Sequence, residues 1–378
     1  MGPTTNSPSS NRPSGSWYDH ERMSILLFPT MRRHERVRAA LLVAFVLTSV
    51  ARTAPAQTLP IGIIDFYGLH RVSVHDAQAV LTFTEGDSIS IERHDPPTFL
   101  VESERRLASL PGVVRAHTNI VCCDQGRLII YVGVEEEGAP TLHFRAAPGG
   151  TARLPADVVQ AGEEFSKAFT AAVERGDAAE DDSQGHALCH DPETRAVQQR
   201  FVSFAARDAK QLRRVLRESS DADERTLAAQ VLGYVADKQG VVDDLVRGMS
   251  DPSENVRNSS MRALVVFTKM APVPGKSIPR VPYDPFVRLL GSIVWTDRNK
   301  SSLAIMELTA KHDPKLTAKL RSDAMQPLVD MARWKNEGHA MPALVVLGRI
   351  AHWADEDVEA AWRSGDREKV IAAALASR

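Results

Sequence analysis

Residues 251–264 decide the fold, and they read DPSENVRNSSMRAL. The opening Asp-Pro pair can start a helix, because an acidic side chain caps free backbone N–H groups and proline fits the first helical turn. Val256 and Leu264 lie about two turns apart, so both can face a core. Arg257 follows directly and can reach the turn of a neighbouring element. The stretch therefore predicts a helix that packs in line with others.

Helices of the same character recur at residues 225–235, 301–310 and 340–350. When one leucine of each helix is taken as equivalent, the consecutive spacings are 32, 44 and 39, for Leu232, Leu264, Leu308 and Leu347. Helix-pair repeats usually span about 33 to 47 residues, so the last two spacings fit and the first is borderline. Five prolines lie between positions 272 and 285. A rigid loop there accounts for part of the longest spacing.

The order Asp-Pro, Val-Arg and then an apolar pair resembles the signature of HEAT repeats, which are armadillo-like α-solenoids. The resemblance implies that residues 193–378 form helical pairs stacked into one superhelix, in which each repeat contacts its neighbours. It also implies that the concave face of the stack binds another macromolecule.

Residues 59–137 have a different sequence pattern, which predicts both strands and helices. Short β-branched runs predict the strands, and Ser73 can cap the first helix. The predicted order is β-α-α-β-β, with elements at residues 61–66, 73–81, 98–110, 113–121 and 127–135. In the last strand, alternate apolar residues can lie on one face, under the two helices: Leu128, Ile130, Val132 and Val134.

Four short motifs support a resemblance for this region: a glycine at position 68, Glu-Gly-Asp at 85–87, Leu-Pro-Gly-Val at 110–113, and Val-x-Val-x-Glu at 132–136. Together with the element order, they make residues 59–137 similar to a POTRA-like domain. The resemblance implies a periplasmic location and binding of extended polypeptide by addition of a strand to the sheet edge.

The fold class predicted for the whole chain is multidomain, with a small α+β domain followed by an all-α helical-repeat solenoid. Residues 138–192 are predicted as a linker with one helix, at 155–175, flanked by Pro-, Gly- and Ala-rich chain and by an acidic solvated loop at 177–185.

The N-terminal part predicts export. A basic start at 31–38 precedes a mostly apolar run at 39–51, and the small-x-small pattern of residues 54–56 follows. The run is shorter than the roughly 20 residues of a membrane-spanning helix, so residues 31–56 are predicted as a signal peptide, with Gln57 as the first mature residue. An uncleaved membrane anchor is the alternative. Residues 1–30 are predicted as a disordered extension or the product of a misassigned start codon.

Composition limits the partners. The formal net charge of −2 argues against a nucleic-acid binder, whose affinity comes from clustered cations. Three cysteines, two of them adjacent, cannot form a spaced disulfide framework, so stability is expected to come from packing. After signal cleavage no integral membrane span is predicted, and the partner is an unidentified protein.

Candidate chemistry is sparse. His186, Cys189 and His190 could begin a metal site, but four ligands are usual and no second cluster is near, so His186 is predicted to cap the next helix. Cys122 and Cys123 are predicted to be buried thiols on opposite faces of a strand.

Four tryptophans could rim a groove, although packing between helices is the favoured interpretation: Trp295, Trp334, Trp353 and Trp362.

Phosphate-loop, dinucleotide, zinc-protease and hydrolase motifs are missing from the sequence. We therefore predict no catalytic, cofactor-binding or metal-ligating residue, no cofactor and no enzymatic activity. The function predicted is an exported, periplasmic or secreted scaffold. The alternatives are a lyase-type enzyme that attaches chromophores, because some HEAT-like proteins resemble such lyases, and an accessory factor for envelope assembly.

Overall fold

The computed structural model describes residues 58–90, 97–270 and 278–377. The predicted extension at 1–30 and the predicted signal peptide at 31–56 lie outside these residues. A small sheet region is followed by a long helical region, as the sequence predicts. In chain order the elements are β1 (Thr58–Tyr67), α1 (Val74–Ala79), β2 (Ser88–Ser90), α2 (Thr98–Leu107), β3 (Val113–Asp124), β4 (Arg127–Glu136), α3 (Ala156–Glu174), β5 (Glu180–Asp181), β6 (Leu188–Cys189), α4 (Pro192–Glu218), α5 (Ala222–Leu232), α6 (Gln239–Gly248), α7 (Glu254–Thr268), α8 (Asp284–Leu289), α9 (Trp295–Thr309), α10 (Pro314–Asp323), α11 (Met325–Ala332), α12 (Glu337–Ile350), α13 (Asp355–Arg363) and α14 (Arg367–Ala376).

The first four strands form one mixed sheet in the order β2-β1-β4-β3. Strands β1 and β4 are parallel, whereas the pairs β1/β2 and β3/β4 are antiparallel. Gln125 and Gly126 both have positive φ and close the tight turn between β3 and β4. The predicted strands are confirmed with extended ends. The sequence does not predict β2, because this strand is too short to show an alternation.

The first face of the sheet is covered by α1 and α2. The four residues of β4 that were predicted for this face lie there, and Ile61 and Ile64 of β1 join them: Leu128, Ile130, Val132 and Val134. Ser73 caps α1 as predicted, its Oγ accepting from the Asp76 N–H at 3.0 Å. Both helices end earlier than predicted, α1 at Ala79 and α2 at Leu107.

The helical region is a stack of pairs. Each of α5, α7, α9 and α12 packs against the next, and each also packs against a preceding helix, respectively α4, α6, α8 and α11. Helices α13 and α14 continue the stack beyond α12. Helices α5, α7, α9 and α12 contain the recurring segments found in the sequence. The predicted stacking of one repeat on the next is thereby confirmed.

Buried ion pairs connect successive repeats. Arg225 donates to Asp251 at the start of α7, with Nη2 to Oδ1 at 2.8 Å, and Arg257 donates to Asp297 of α9 at 2.9 Å. Arg298 of α9 pairs in turn with Asp330 of α11. We call these three pairs the Arg–Asp ladder. The predicted reach of Arg257 to a neighbour is confirmed.

Residues 138–155, which we call the strap, run extended across the loops that precede α5 and α7. The Gly150 N–H donates to the Glu218 carbonyl and the Arg145 N–H to the Ser250 carbonyl, both at 2.9 Å. The Arg145 side chain pairs with Asp251. Beyond the strap, α3 packs on α4, and the short strands β5 and β6 pair beside it.

The second face of the sheet is buried against the helical stack. Tyr131 stacks on Trp295, with ring centroids 5.2 Å apart, and Tyr67 and Tyr131 both contact Trp334. A side chain at Gly133 would collide with the carbonyl oxygen of Ile293, so the backbones can approach this closely only at a glycine. Ile63, Ile129 and Val121 complete this face, and the sheet region therefore shares its core with the stack.

Hydrogen bonds join the second face to the starts of α9 and α12. The Asn119 Oδ1 accepts from the Trp295 N–H at 2.9 Å, and the Asp65 Oδ2 accepts from the Lys335 N–H at 2.8 Å. The Tyr131 hydroxyl lies 2.7 Å from His339 Nδ1. Burial, followed by the charge of Lys300, lowers the pKa of His339 to about 3, so its ring is neutral and Nδ1 can accept the tyrosine proton.

Candidate protein-interaction site

A cleft of about 530 Å³ lies where the second face, the strap and the helical stack meet. We call it the junction cleft. Its walls come from β3, β4, the strap and the starts of α7 and α9, and its lining is Arg115, Ala116, His117, Glu135, Leu142, Phe144, Pro252, Ser253, Glu254, Arg257, Gly291, Ser292, Ile293 and Val294. Clefts of this size accommodate a small ligand or a few side chains of a peptide.

The His117 imidazole bridges two carboxylates at one side of the cleft. Its Nε2 lies 3.2 Å from Glu254 Oε2 of α7, and its Nδ1 lies 3.4 Å from Glu104 Oε1 of α2. Burial opposes ionisation, but the hydrogen bonds to Glu104 and Glu254 outweigh it and raise the pKa of His117 to about 9. The ring is therefore cationic at neutral pH, and it ties the sheet region to the stack.

Arg115 and Glu135 form a second charged pair across β3 and β4, with Nε and Oε2 2.7 Å apart. The Arg115 side chain is 45% exposed, whereas that of Glu135 is 6% exposed. The Thr141 hydroxyl of the strap donates to the other Glu135 oxygen at 2.7 Å. Arg115 is thus held by one carboxylate while its guanidinium stays accessible in the cleft.

Phe144 of the strap forms an apolar wall. Its ring lies 3.9 Å from the guanidinium carbon of Arg257, which is close enough for a cation–π contact. Arg257 is buried, because it belongs to the Arg–Asp ladder. The cleft therefore combines an aromatic surface with accessible cationic and anionic groups.

Strand β3 is an edge of the sheet, and within the described residues no strand pairs with its outer side. The Thr118 N–H points outward and donates to Glu104 Oε1 at 2.6 Å. Since alternate residues of a strand direct their N–H groups to the same side, the N–H of Ala116 also points outward. Val114, at the open end of the strand, is 53% exposed. This edge continues into the junction cleft through Arg115 and His117.

The residues that the sequence offered as a possible metal site do not line the junction cleft. The His186 ring packs against Tyr234 at a tilt, with centroids 5.3 Å apart, and Asp191 caps α4, so the predicted capping role of His186 is wrong. Burial raises the pKa of the Cys189 thiol to about 11. Among the described residues, no group of three His, Cys, Asp or Glu side chains could hold a metal ion.

The adjacent cysteines differ from prediction. Cys122 and Cys123 form a disulfide across a cis peptide bond, so the prediction of separate thiols is wrong. The prediction assumed the alternation of a strand with trans peptides, which directs neighbouring side chains to opposite faces.

Trp295 and Trp334 are buried between the sheet and the helices, and Trp353 and Trp362 are partly buried against the stack. The alternative of a groove rimmed by tryptophans is therefore wrong for the first two. Neither Arg115 nor His117 was predicted to be a site residue. Their alternation with Ala116 and Thr118 on a predicted strand was the available signal, since it places polar residues on one face.

No protein-family model matches the chain, and no curated protein matches it. Among solved structures, the chain matches one described as "Designed armadillo repeat protein YIII(Dq.V1)4CPAF in complex with peptide (KR)4". The two are 16% identical over 49% of this chain and 92% of the designed one, with a TM-score of 0.32. So low a TM-score supports no inference, and the helical-repeat description rests on the packing of α4–α14. Over the described residues, no helix is both long and apolar enough to cross a membrane.

Proposed function

We propose that the chain is an exported, non-catalytic scaffold that binds a protein partner in the periplasm or outside the cell. In this proposal, the sheet region acts as a POTRA-like module and the HEAT-like stack is the rigid body that carries it. The observation that carries the proposal is the outer edge of β3, which has an outward N–H at Ala116 and leads into the junction cleft. An extended segment of the partner would pair with this edge and place side chains in the cleft.

The nature of the cleft supports a peptide rather than a reacting substrate. Its charged groups are already paired, as Arg115 with Glu135 and His117 with Glu254. Such groups orient a polar chain. The Phe144 ring offers a surface for an apolar side chain of the same segment.

Site-specific photocrosslinking tests this proposal in the native host. A photoreactive residue is placed at Val114, which is 53% exposed at the β3 edge, or at Leu375, which is 57% exposed on α14, in the C-terminally tagged chain. We expect a reproducible protein adduct from position 114 and none from position 375. Equal adducts at both positions, or none at 114, would contradict the proposed site.

A backbone variant separates strand addition from other modes of binding. Ala116→Pro removes an outward N–H without breaking the ladder to β4, whereas Ala116→Val keeps the N–H. The proline variant is expected to lose the adduct and the valine variant to retain it. The same tagged protein tests export, since the proposal requires an N-terminus at Gln57 in the envelope or secreted fraction. Unprocessed protein in the cytosol would contradict that part of the proposal.

A further inference from the structure

Helix α4 carries a row of cations on one side. The residues at positions 207, 210, 214 and 217 are Arg, Lys, Arg and Arg, and intervals of three and four place them on one helical face. The helix has 27 residues and is therefore about 40 Å long. This face lies on the opposite side of α4 from the buried Leu212, Val215 and Leu216.

The two halves of this row differ in how far nearby carboxylates neutralise the cations. In the N-terminal half, Arg200 pairs with Glu164, and Arg207 pairs with both Asp157 and Asp208. These cations therefore meet at least as many carboxylates. This half therefore has no excess of positive charge and gives an anionic partner no net attraction.

In the C-terminal half the cations outnumber the carboxylates, and one of these carboxylates is fully buried. Arg213 and Arg217 both pair with Asp244 of α6, whose side chain is 0% exposed, whereas the two arginine side chains are 40% and 45% exposed. Arg214 is 63% exposed, and among the described residues its one ion pair is with the exposed Glu218. Two guanidiniums thus share one carboxylate that solvent and partners cannot reach.

Lys210 precedes Arg213 by three residues on α4, and Arg247 follows Asp244 by three residues on α6, so each lies on the same helical surface as a member of this ion-paired group. Both are exposed, and among the described residues neither forms an ion pair with a carboxylate. Five cations then face three carboxylates, which are Asp243, Asp244 and Glu218. We call the set of Lys210, Arg213, Arg214, Arg217 and Arg247 the basic face. It is a local exception in a chain whose formal net charge is −2.

We propose that the basic face binds an acidic segment of a partner polypeptide. Guanidiniums bind carboxylates through paired N–H donors, and the four cations of α4 lie within about 11 Å along the helix, a span that a short run of Asp and Glu residues can match. A membrane surface fits less well, because the exposed large apolar residues of the described part lie elsewhere, at Val74, Val101, Val114 and Leu375. This surface is separate from the junction cleft and does not depend on the function proposed for it.

The test compares two charge reversals in the mature chain. Lys210→Glu with Arg214→Glu alters the basic face but leaves Arg213 and Arg217 on the buried Asp244. The control, Arg363→Glu with Lys369→Glu, makes the same change in net charge on α13 and α14. Arg363 is matched to Arg214, since it is 64% exposed and pairs with a glutamate one helical turn away. Binding of a labelled oligoglutamate peptide is followed by fluorescence anisotropy, and circular dichroism confirms that both variants stay folded.

We expect saturable binding that weakens as salt rises, a loss of about tenfold or more in affinity for the basic-face variant, and a change of less than about twofold for the control. Equal losses in both variants would overturn the proposal, because net charge alone would then explain binding. It would also be overturned if oligoglutamate fails to bind, or if phosphatidylglycerol vesicles or duplex DNA bind more tightly than the peptide at the same charge concentration.

Discussion

The two faces of the sheet are closed by different parts of the chain. The first face is covered by α1 and α2, which lie between its own strands in the sequence. The second face is covered by α9, α11 and α12, where Tyr131 contacts Trp295 and also His339, which follows it by 208 residues. The first face is aliphatic, whereas the second mixes aromatic rings with buried polar groups.

This difference separates what local sequence determines from what tertiary assembly adds. The contacts of the first face are short-range, because its strands and helices are neighbours in the chain. The second face acquires a core only when the stack is present. The sheet region therefore has its own core on the first face and shares the core of the stack on the second, so half of its burial depends on the stack.

The largest expected effect comes from removing the stack. A fragment of residues 58–137 would expose the second face, including Tyr67 and Tyr131, and lose the burial of two aromatic side chains and their neighbours. We expect no cooperative thermal unfolding by circular dichroism and strong binding of a hydrophobic dye, in contrast to the mature chain. A sharp two-state transition in the fragment would show that the first face suffices.

A smaller effect is expected from filling the closest contact of the second face. Gly133→Val would drive a side chain against the Ile293 carbonyl, a backbone atom that cannot rotate away, and we expect a loss of about 3 kcal/mol in the free energy of unfolding. On the first face, Ile130→Val should cost only about 1 kcal/mol. Urea unfolding measures both, and equal losses would remove the distinction between the faces.

The buried histidine of the second face predicts an acid-side loss of stability. His339 has a pKa of about 3 when folded, below the ordinary value of 6.5, so the unfolded chain binds more protons below pH 6.5. Stability should be complete above pH 6.5 and fall by about 2 kcal/mol on going to pH 5. His339→Gln, which can still accept from Tyr131, should flatten this part of the profile. An unchanged acid slope in the variant would assign the loss to other groups.

The smallest effect is expected from His117 in the junction cleft. His117 has a pKa of about 9 when folded, above the ordinary 6.5, so its contribution is complete below pH 6.5 and lost as the pH rises through 9. Because the side chain is 30% exposed, we expect this contribution to be about 1 kcal/mol and to shrink in salt. His117→Gln should remove it, Glu254→Gln should remove only the part that Glu254 provides because Glu104 remains, and the double variant should lose little more than His117→Gln alone. Additive losses would mean that the two residues act separately.

Much of the fold could be predicted because its signals are local. Short β-branched runs predicted β1, β3 and β4, and the recurrent pattern around Val256 and Leu264 predicted the helices that are α5, α7, α9 and α12. Helix α8 was not predicted; it begins at the end of the proline-rich loop, with Pro285 in its first turn, where proline is tolerated.

The candidate site was largely beyond prediction. The junction cleft joins β3 to α7 and α9, so its lining depends on how the sheet docks on the stack. Arg115 and His117 gave only a period-two polar pattern, which is equally expected of a solvated strand. Glu254, which pairs with His117, follows it by 137 residues, and no short-range pattern carries that pairing.

The docking of the sheet also has a mechanical consequence. Stacks of helical pairs can bend and stretch, because each unit contacts only its neighbours. Here one sheet is hydrogen-bonded to the starts of three successive units, through His117 and Glu254 at α7, Asn119 and Trp295 at α9, and Tyr131 and His339 at α12. The sheet thus holds the starts of these three units in a fixed arrangement. The middle of the stack has a fixed curvature, and any elastic adjustment to a bound protein must come from the pairs at its two ends.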